Sequence, residues 1–358
     1  MSYQTSLVEI PEALIKNNDI EQITKLSVLK KARDFILDGE LVAFPTETVY
    51  GLGADATNGK AVKKIFKAKG RPQDNPLIAH IANLDQFKRV VDTEIDNDLE
   101  NILNTFWPGP LTVILPKSNT ISNITTANLK TVGVRMPSHP VALSLIEITD
   151  RPLAAPSANT SGLPSPTRAK HVLDDLEGKI PLILGGGPCQ VGVESTIIKV
   201  ENEKIVILRP GGISREELAK VTERKIIRKN NSNDNKPLAP GMKYKHYSPQ
   251  TKVFLYTGKE EKLKNYLEDN ENKKIALVFT SETIDELKKR NDFYISQNIK
   301  IIDIGSKNDL KSIANKLFNI LRELDKSENE VIVVEKIPER GIGEAVMNRI
   351  YKAASKKL

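Results

Sequence analysis

Lys67-Ala68-Lys69-Gly70-Arg71-Pro72-Gln73-Asp74-Asn75-Pro76-Leu77-Ile78-Ala79-His80 reads as a helix end, a stiff polar loop and a short buried strand. A helical segment from Gly59 to Ala68 stops at Lys69-Gly70, where glycine can take the positive φ that a helix end often needs. Arg71 is held between Gly70 and Pro72, and a residue before proline is pushed to extended backbone. Asn75-Pro76 repeats the device. Two cations and an amide therefore sit on a rigid loop beside a sheet edge. Such a loop suits phosphate, because a cation already ordered loses little side-chain entropy on binding. The plainer reading makes Lys69 and Arg71 a solvated surface pair, and a local motif leaves both open.

The surrounding chain is rich in shaped loops. Sixteen of the 20 prolines lie at or before Pro210, which separates a loop-bearing first region from a plainer second one. Residues 1–25 read as an arm or first strand. Ser27 to Asp38 reads as a helix with Leu29, Ala32, Phe35 and Ile36 on one face, and Gly39 as its stop. Leu41-Val42-Ala43-Phe44 is a strand entering Pro45-Thr46-Glu47-Thr48-Val49-Tyr50-Gly51-Leu52-Gly53, a Thr/Gly turn of the kind that carries ligand loops. Strands follow at Leu111–Leu115 and Thr131–Arg135. Another short strand, Leu153–Ala155, opens into Pro156-Ser157-Ala158-Asn159-Thr160-Ser161-Gly162. That loop offers donors and acceptors to a polar ligand, or is an ordinary Ser/Thr/Asn turn. Strands near Ile180–Leu184, Ser195–Val200 and Lys204–Leu208 complete the first sheet, and Arg209-Pro210-Gly211-Gly212 closes it with another proline-held arginine.

From Glu223 to Leu238 the composition turns Lys/Asn/Asp-rich, as in a linker. It ends in Ala239-Pro240-Gly241-Met242-Lys243-Tyr244-Lys245-His246-Tyr247, whose aromatics are out of place in a tether and imply packing. Strands and Lys/Glu-rich helices then alternate to the end of the chain, the pattern of a parallel sheet with covering helices. The sequence thus predicts an α/β protein in three parts. These are a twisted open α/β sheet domain over 26–213, a linker over 214–250, and a smaller Rossmann-like parallel domain over 251–358.

Composition narrows the function. A net charge of +7 favours anionic partners such as nucleotides or RNA without identifying one. One cysteine, Cys189, excludes an internal disulfide and any cysteine-rich metal site, and it reads as a loop thiol. No apolar run is long enough to span a bilayer, and the first residues lack the pattern of a signal peptide, so a cytoplasmic location is expected. There is no Gly-rich phosphate loop ending in Lys-Ser/Thr, no zinc-type His pair and no Gly-x-Ser-x-Gly elbow. Of the four histidines, His171 is expected exposed on a helix and His139 at a helix start. His80 and His246 remain as site candidates.

Lys69-Gly70-Arg71-Pro72 with Asn75-Pro76-Leu77, Pro45 to Gly51, Pro156-Ser157-Ala158-Asn159 and Arg209-Pro210-Gly211 together resemble the YrdC-like family. The motif from Ala239 through Tyr247, with an α/β domain behind it, resembles that family's long two-domain form. The resemblance runs from about Leu26 to the C-terminus and is least marked between Arg215 and Lys236.

It implies a nucleotidyltransferase acting in tRNA modification: L-threonine, bicarbonate/CO2 and ATP give threonylcarbamoyl-AMP and pyrophosphate, with Mg2+ on the phosphates. It implies catalytic roles for Lys69 and Arg71. ATP contacts would come from Arg71, Asn75, Thr131, Asn159, Thr167, Arg209 and His246, the last on a lid formed by the linker motif. Thr48, His80, Arg135, Ser157 and Ser195 would line the threonine pocket, with Arg135 on the carboxylate. Downstream partners would be a tRNA threonylcarbamoyl transferase machinery and, by direct contact, tRNA; no membrane is involved. The rival readings are a non-catalytic RNA-binding protein, a carbamoyltransferase subunit acting on another acceptor, and a binding module beside an inactive first domain. An aromatic content of 5% and the lack of a stacking signature weigh against RNA binding alone.

Overall fold

The protein is described by a computed structural model covering residues 3–228, 247–289 and 297–358. The chain divides into two compact units, one of residues 1–161 and 165–244, the other of residues 162–164 and 245–358.

The first unit opens with β1 (Ser6–Glu9), α1 (Glu12–Lys16), α2 (Ile20–Lys25) and α3 (Ser27–Leu37). Next come β2 (Val42–Phe44), β3 (Gly51–Asp55), α4 (Gly59–Lys69), β4 (Ile78–His80), α5 (Leu84–Val90) and α6 (Asn97–Phe106). The chain continues through β5 (Leu111–Pro116), β6 (Thr131–Arg135), α7 (Pro140–Thr149), β7 (Leu153–Ala154) and α8 (Ala169–Leu176). It ends with β8 (Leu182–Gly185), β9 (Thr196–Glu201), β10 (Lys204–Arg209), α9 (Arg215–Leu218) and β11 (Lys225–Arg228). These strands form one mixed sheet in the order β1-β8-β2-β3-β7-β4-β6-β5-β9-β10-β11.

Local chemistry sets the ends of α4. The Asn58 side chain accepts from the N–H groups of Lys60 and Ala61, and Gly70 ends the helix in the left-handed region at φ 62°. Ala61, Val62, Ile65 and Phe66 give α4 an apolar stripe that packs into the main core. Three readings change here. Gly51–Asp55, which begins inside the Thr/Gly turn expected over Pro45–Gly53, is a fully buried strand antiparallel to β2. Residues 3–25 hold two helices as well as the strand β1, which pairs with β8. Lys225–Arg228, inside the linker-like stretch, is an edge strand parallel to β10. In each case pairing across the sheet overrides local composition.

The second unit carries β12 (Lys252–Tyr256), α10 (Glu260–Glu268), β13 (Ile275–Thr280), α11 (Ser281–Lys288) and β14 (Ile299–Gly305). After them come α12 (Leu310–Asp325), β15 (Val331–Glu335), α13 (Gly343–Ala353) and β16 (Lys356–Lys357). Its sheet, ordered β14-β13-β15-β12-β16, is parallel throughout. β13 is buried at every position, as a central parallel strand with both faces covered should be. Tyr247, the last residue of the aromatic linker motif, is buried in this unit with φ 66°; it stacks on Phe318, and the Arg349 guanidinium lies over its ring. The packing inferred for that motif is thus found at its final residue. Ala239–His246 lies outside the described residues.

Candidate active site

The candidate side chains form small bonded groups on the loops and strand ends of the first unit. Tyr50 N–H donates to the Pro166 carbonyl, Leu52 N–H to Pro156 and Ala158 N–H to Tyr50, which ties the Thr48, Ser157 and Thr167 segments together. His80 and Arg135 end neighbouring parallel strands in matched register, and Thr131 opens the same strand as Arg135. Gly211 brings Arg209 against Ser195: a Cβ at residue 211 would fall 2.3 Å from the Ser195 carbonyl carbon, a clash with backbone. Glycine is therefore required there.

Lys69 is 2% exposed, so the solvated reading does not hold for it. Its ammonium donates to the Ser157 carbonyl at 2.5 Å, the Asn159 carbonyl at 2.5 Å and Asn159 Oδ1 at 3.2 Å. Ser157 Oγ donates to the same Oδ1 at 2.5 Å, and Asn159 Nδ2 donates to the Thr160 carbonyl. Arg71 is half-buried and steadied by the carbonyls of Asn75 and Pro76, both at 3.3 Å. Asn75 is 1% exposed, and neither its Oδ1 nor its Nδ2 has a partner. A buried amide with both ends open is costly for folding, and such groups call for an explanation such as a ligand.

Arg135 forms a buried ion pair with Glu47, Nη2 to Oε1 at 2.6 Å, and its Nε donates to the Gly109 carbonyl. The other Glu47 oxygen accepts from the Ser138 N–H. Beside this pair His80 is buried with Nδ1 unpartnered. Burial, and then the Arg135 charge, push its pKa down from 6.5 to about 3, so the ring is neutral. Thr48 is fully buried 2.8 Å from the Thr46 hydroxyl. Thr46 gives its own proton to the Val49 carbonyl, so Thr48 donates to Thr46 and keeps its acceptor side open. Ser195 Oγ meets Thr112 Oγ1 at 2.8 Å and accepts from Arg209 Nη2 at 3.1 Å, while Arg209 also grips the Ser195 carbonyl. Thr167 is buried; its N–H donates to His171 Nδ1 and its carbonyl accepts from Cys189.

His171, expected exposed, is buried on α8, because its ring faces the loop it caps rather than water. His139 caps α7 as expected, its Nδ1 accepting from the Val141 N–H. Cys189 is buried in the main core, and burial raises its thiol pKa far above the usual range, against any nucleophilic role. His246 lies outside the described residues. Glu47 was not singled out from sequence. The available signal was an acid set among the apolar and hydroxyl residues of a loop entered from a buried strand. A cavity of about 650 Å³ beside the end of α4 contains, of the expected residues, only Lys69, and its Glu40 carboxylate is already bonded to Lys64 and Tyr3.

A mixed α/β sheet whose loops carry buried guanidiniums, hydroxyls and an open amide has the groups that suit a small anionic, hydroxyl-bearing ligand. The model described as "Telomere recombination", for Sua5, YciO and YrdC proteins, matches residues 34–211, and that of the threonylcarbamoyl-AMP synthase C-terminal domain matches residues 213–355. The threonylcarbamoyl-AMP synthase of Pyrococcus abyssi is 44% identical, with 92% of this chain and 95% of that one covered. That of Bacillus subtilis is 42% identical, covering 91% and 92%. The crystal structure of P. abyssi Sua5 complexed with L-threonine superposes with a TM-score of 0.83 at 40% identity over 99% of both chains. The chain belongs to the threonylcarbamoyl-AMP synthase family, in its two-domain form.

Proposed function

We propose that this chain converts L-threonine, bicarbonate or CO2, and ATP into threonylcarbamoyl-AMP and pyrophosphate, for the threonylcarbamoyl modification of adenosine in tRNA. The observation that carries this reading within the site is the buried Arg135 guanidinium beside His80, whose Nδ1 is unpartnered, with the open amide of Asn75 in the same unit. The threonine complex of the P. abyssi relative supports the amino-acid half.

In this reading threonine's carboxylate approaches Arg135, whose Nη2 and Nε are engaged while its Nη1 makes no hydrogen bond among the described residues. The hydroxyls of Thr48, Ser157 and Ser195 and the neutral His80 complete the pocket. Arg71, Asn75, Thr131, Asn159, Thr167 and Arg209 receive ATP, with the Asn75 amide gaining the partners it lacks. Threonine's amine adds to CO2 and releases a proton; the carbamate oxygen attacks the α-phosphorus, and pyrophosphate leaves. Two anions must meet, so the protein's work is to neutralise charge and align the reactants. Arg71 can grip a phosphate bidentately, and Lys69 adds positive charge behind the loop. Mg2+ would be held mainly by the ATP phosphates and share that charge. The product would pass to a tRNA-modifying transferase, with tRNA itself a further partner. No helix among the described residues is long and apolar enough to cross a membrane.

The test is pyrophosphate release from ATP, Mg2+ and bicarbonate with and without threonine. Threonine-dependent release is expected, with valine refused more firmly than serine. A pocket that hydrogen-bonds a hydroxyl rejects analogues lacking it by about 10⁴-fold, whereas a methyl is worth roughly 1–3 kcal/mol. Release without amino-acid preference would point to another acceptor, and no release to a binding protein.

A further inference from the structure

Lys69 stands at the position expected of a phosphate ligand, yet its ammonium points into the protein. A lysine ammonium has three donors and no acceptor. Three acceptors surround this one: the carbonyls of Ser157 and Asn159 and the Asn159 side-chain oxygen. Its backbone joins the same clasp, because Ser161 N–H donates to the Lys69 carbonyl at 2.8 Å. Swinging the ammonium to a phosphate would strip two buried carbonyls of a charged donor, at about 1–3 kcal/mol each.

The consequence is geometric. With Oδ1 taken by Lys69 and Ser157 Oγ, and Nδ2 taken by the Thr160 carbonyl, the Asn159 amide has a single orientation. Lys69 thus shapes both residues of the loop at once.

We infer that Lys69 is a positioning residue, which sets the Ser157–Asn159 loop for both substrates and does not itself touch the triphosphate. This rests on the proposed function, in which Ser157 faces threonine and Asn159 faces ATP. The two roles predict different binding. A phosphate ligand acts on ATP, more on ATP than on AMP, and not on threonine. A loop-setting residue acts on threonine too, and on AMP and ATP by one common factor. Arginine would replace a phosphate ligand in part. It cannot place one nitrogen among three acceptors, because its donors lie in a flat fork.

The experiment is calorimetric titration of wild type, Lys69→Met and Lys69→Arg with L-threonine, AMP and ATP, each variant checked by circular dichroism. Both substitutions are expected to weaken threonine, AMP and ATP by about tenfold or more, with the AMP and ATP factors equal. Unchanged threonine affinity with an ATP-selective loss, or near-wild-type binding by Lys69→Arg, overturns the inference and leaves the proposed function standing. A wild-type protein that binds neither threonine nor nucleotide overturns both. Should the variants fail to fold, a crystal of the wild type with an ATP analogue decides. Lys69 Nζ is expected still on the Ser157 and Asn159 carbonyls, and Nζ bonded to a phosphate oxygen refutes the inference.

Discussion

Among the described residues each unit holds a buried glutamate paired with a cation, and the two are finished differently. In the second unit Glu335 sits at the end of β15 and accepts from the Thr280 N–H and hydroxyl, the Thr283 hydroxyl and the Lys307 ammonium. Every lone-pair direction of that carboxylate is used, and the group ties the ends of β13 and β15 together. In the first unit Glu47 and Arg135 are equally buried, but His80 beside them has an unpartnered Nδ1, and in the same unit both polar atoms of the Asn75 amide lack partners. A closed network is a structural fastening, while an open one holds folding energy in reserve for a ligand.

Four measurements bear on this contrast. Glu47→Gln leaves the Arg135 charge buried without its counter-ion and should cost about 3–5 kcal/mol of stability, while raising the threonine requirement. Glu335→Gln should cost less, about 1–3 kcal/mol, because Lys307 is a third exposed and can turn to water. Its pyrophosphate release per folded molecule should match wild type. Urea unfolding and the pyrophosphate assay read both; a Glu335→Gln protein that folds but loses threonine dependence would erase the distinction. Arg71→Ala should lower threonine-dependent release by about a hundredfold with a nearly unchanged melting temperature. Asn75→Ala should weaken ATP by about tenfold without loss of stability, since it removes a buried amide whose polar atoms are unsatisfied in the free protein. A clear drop in melting temperature would mean that the amide serves folding instead.

The smallest effect is with pH. His80 is held neutral in the folded state, with a pKa of about 3 against 6.5 when exposed. Below pH 6.5 the unfolded chain takes up a proton that the folded one refuses. Stability contributed by His80 is therefore present above pH 6.5 and is lost as pH falls toward 3, about 1 kcal/mol of it between pH 6.5 and 5.5. His139, buried and likewise shifted down, adds to the same slope. His80→Gln should flatten the dependence of the urea midpoint on pH; an unchanged slope would place the proton uptake elsewhere.

Much of the architecture was legible because its signals are local. Strand–helix alternation marked the second sheet, the Pro/Gly loops marked the first, and Gly70 marked the end of α4. Family motifs of that same loop type named the candidate hydroxyls and arginines. What went unread depends on pairing between distant segments. β3 was hidden because a Thr/Gly run reads as a turn until β2 lies beside it. His171 was misjudged because the loop that buries it folds back onto its own helix.

By itself the sequence determined the α/β class, the division into a loop-bearing and a plainer domain, and the kinds of groups available to a ligand. Periodicity, proline and glycine act within a few residues and need no partner. Only tertiary structure decided that Lys69 turns inward to carbonyls 88 and 90 residues away, and that Arg135 is paired with Glu47 across 88 residues. A charged side chain's role depends on what the fold sets within 3 Å of it, and spacing along the chain does not encode that distance.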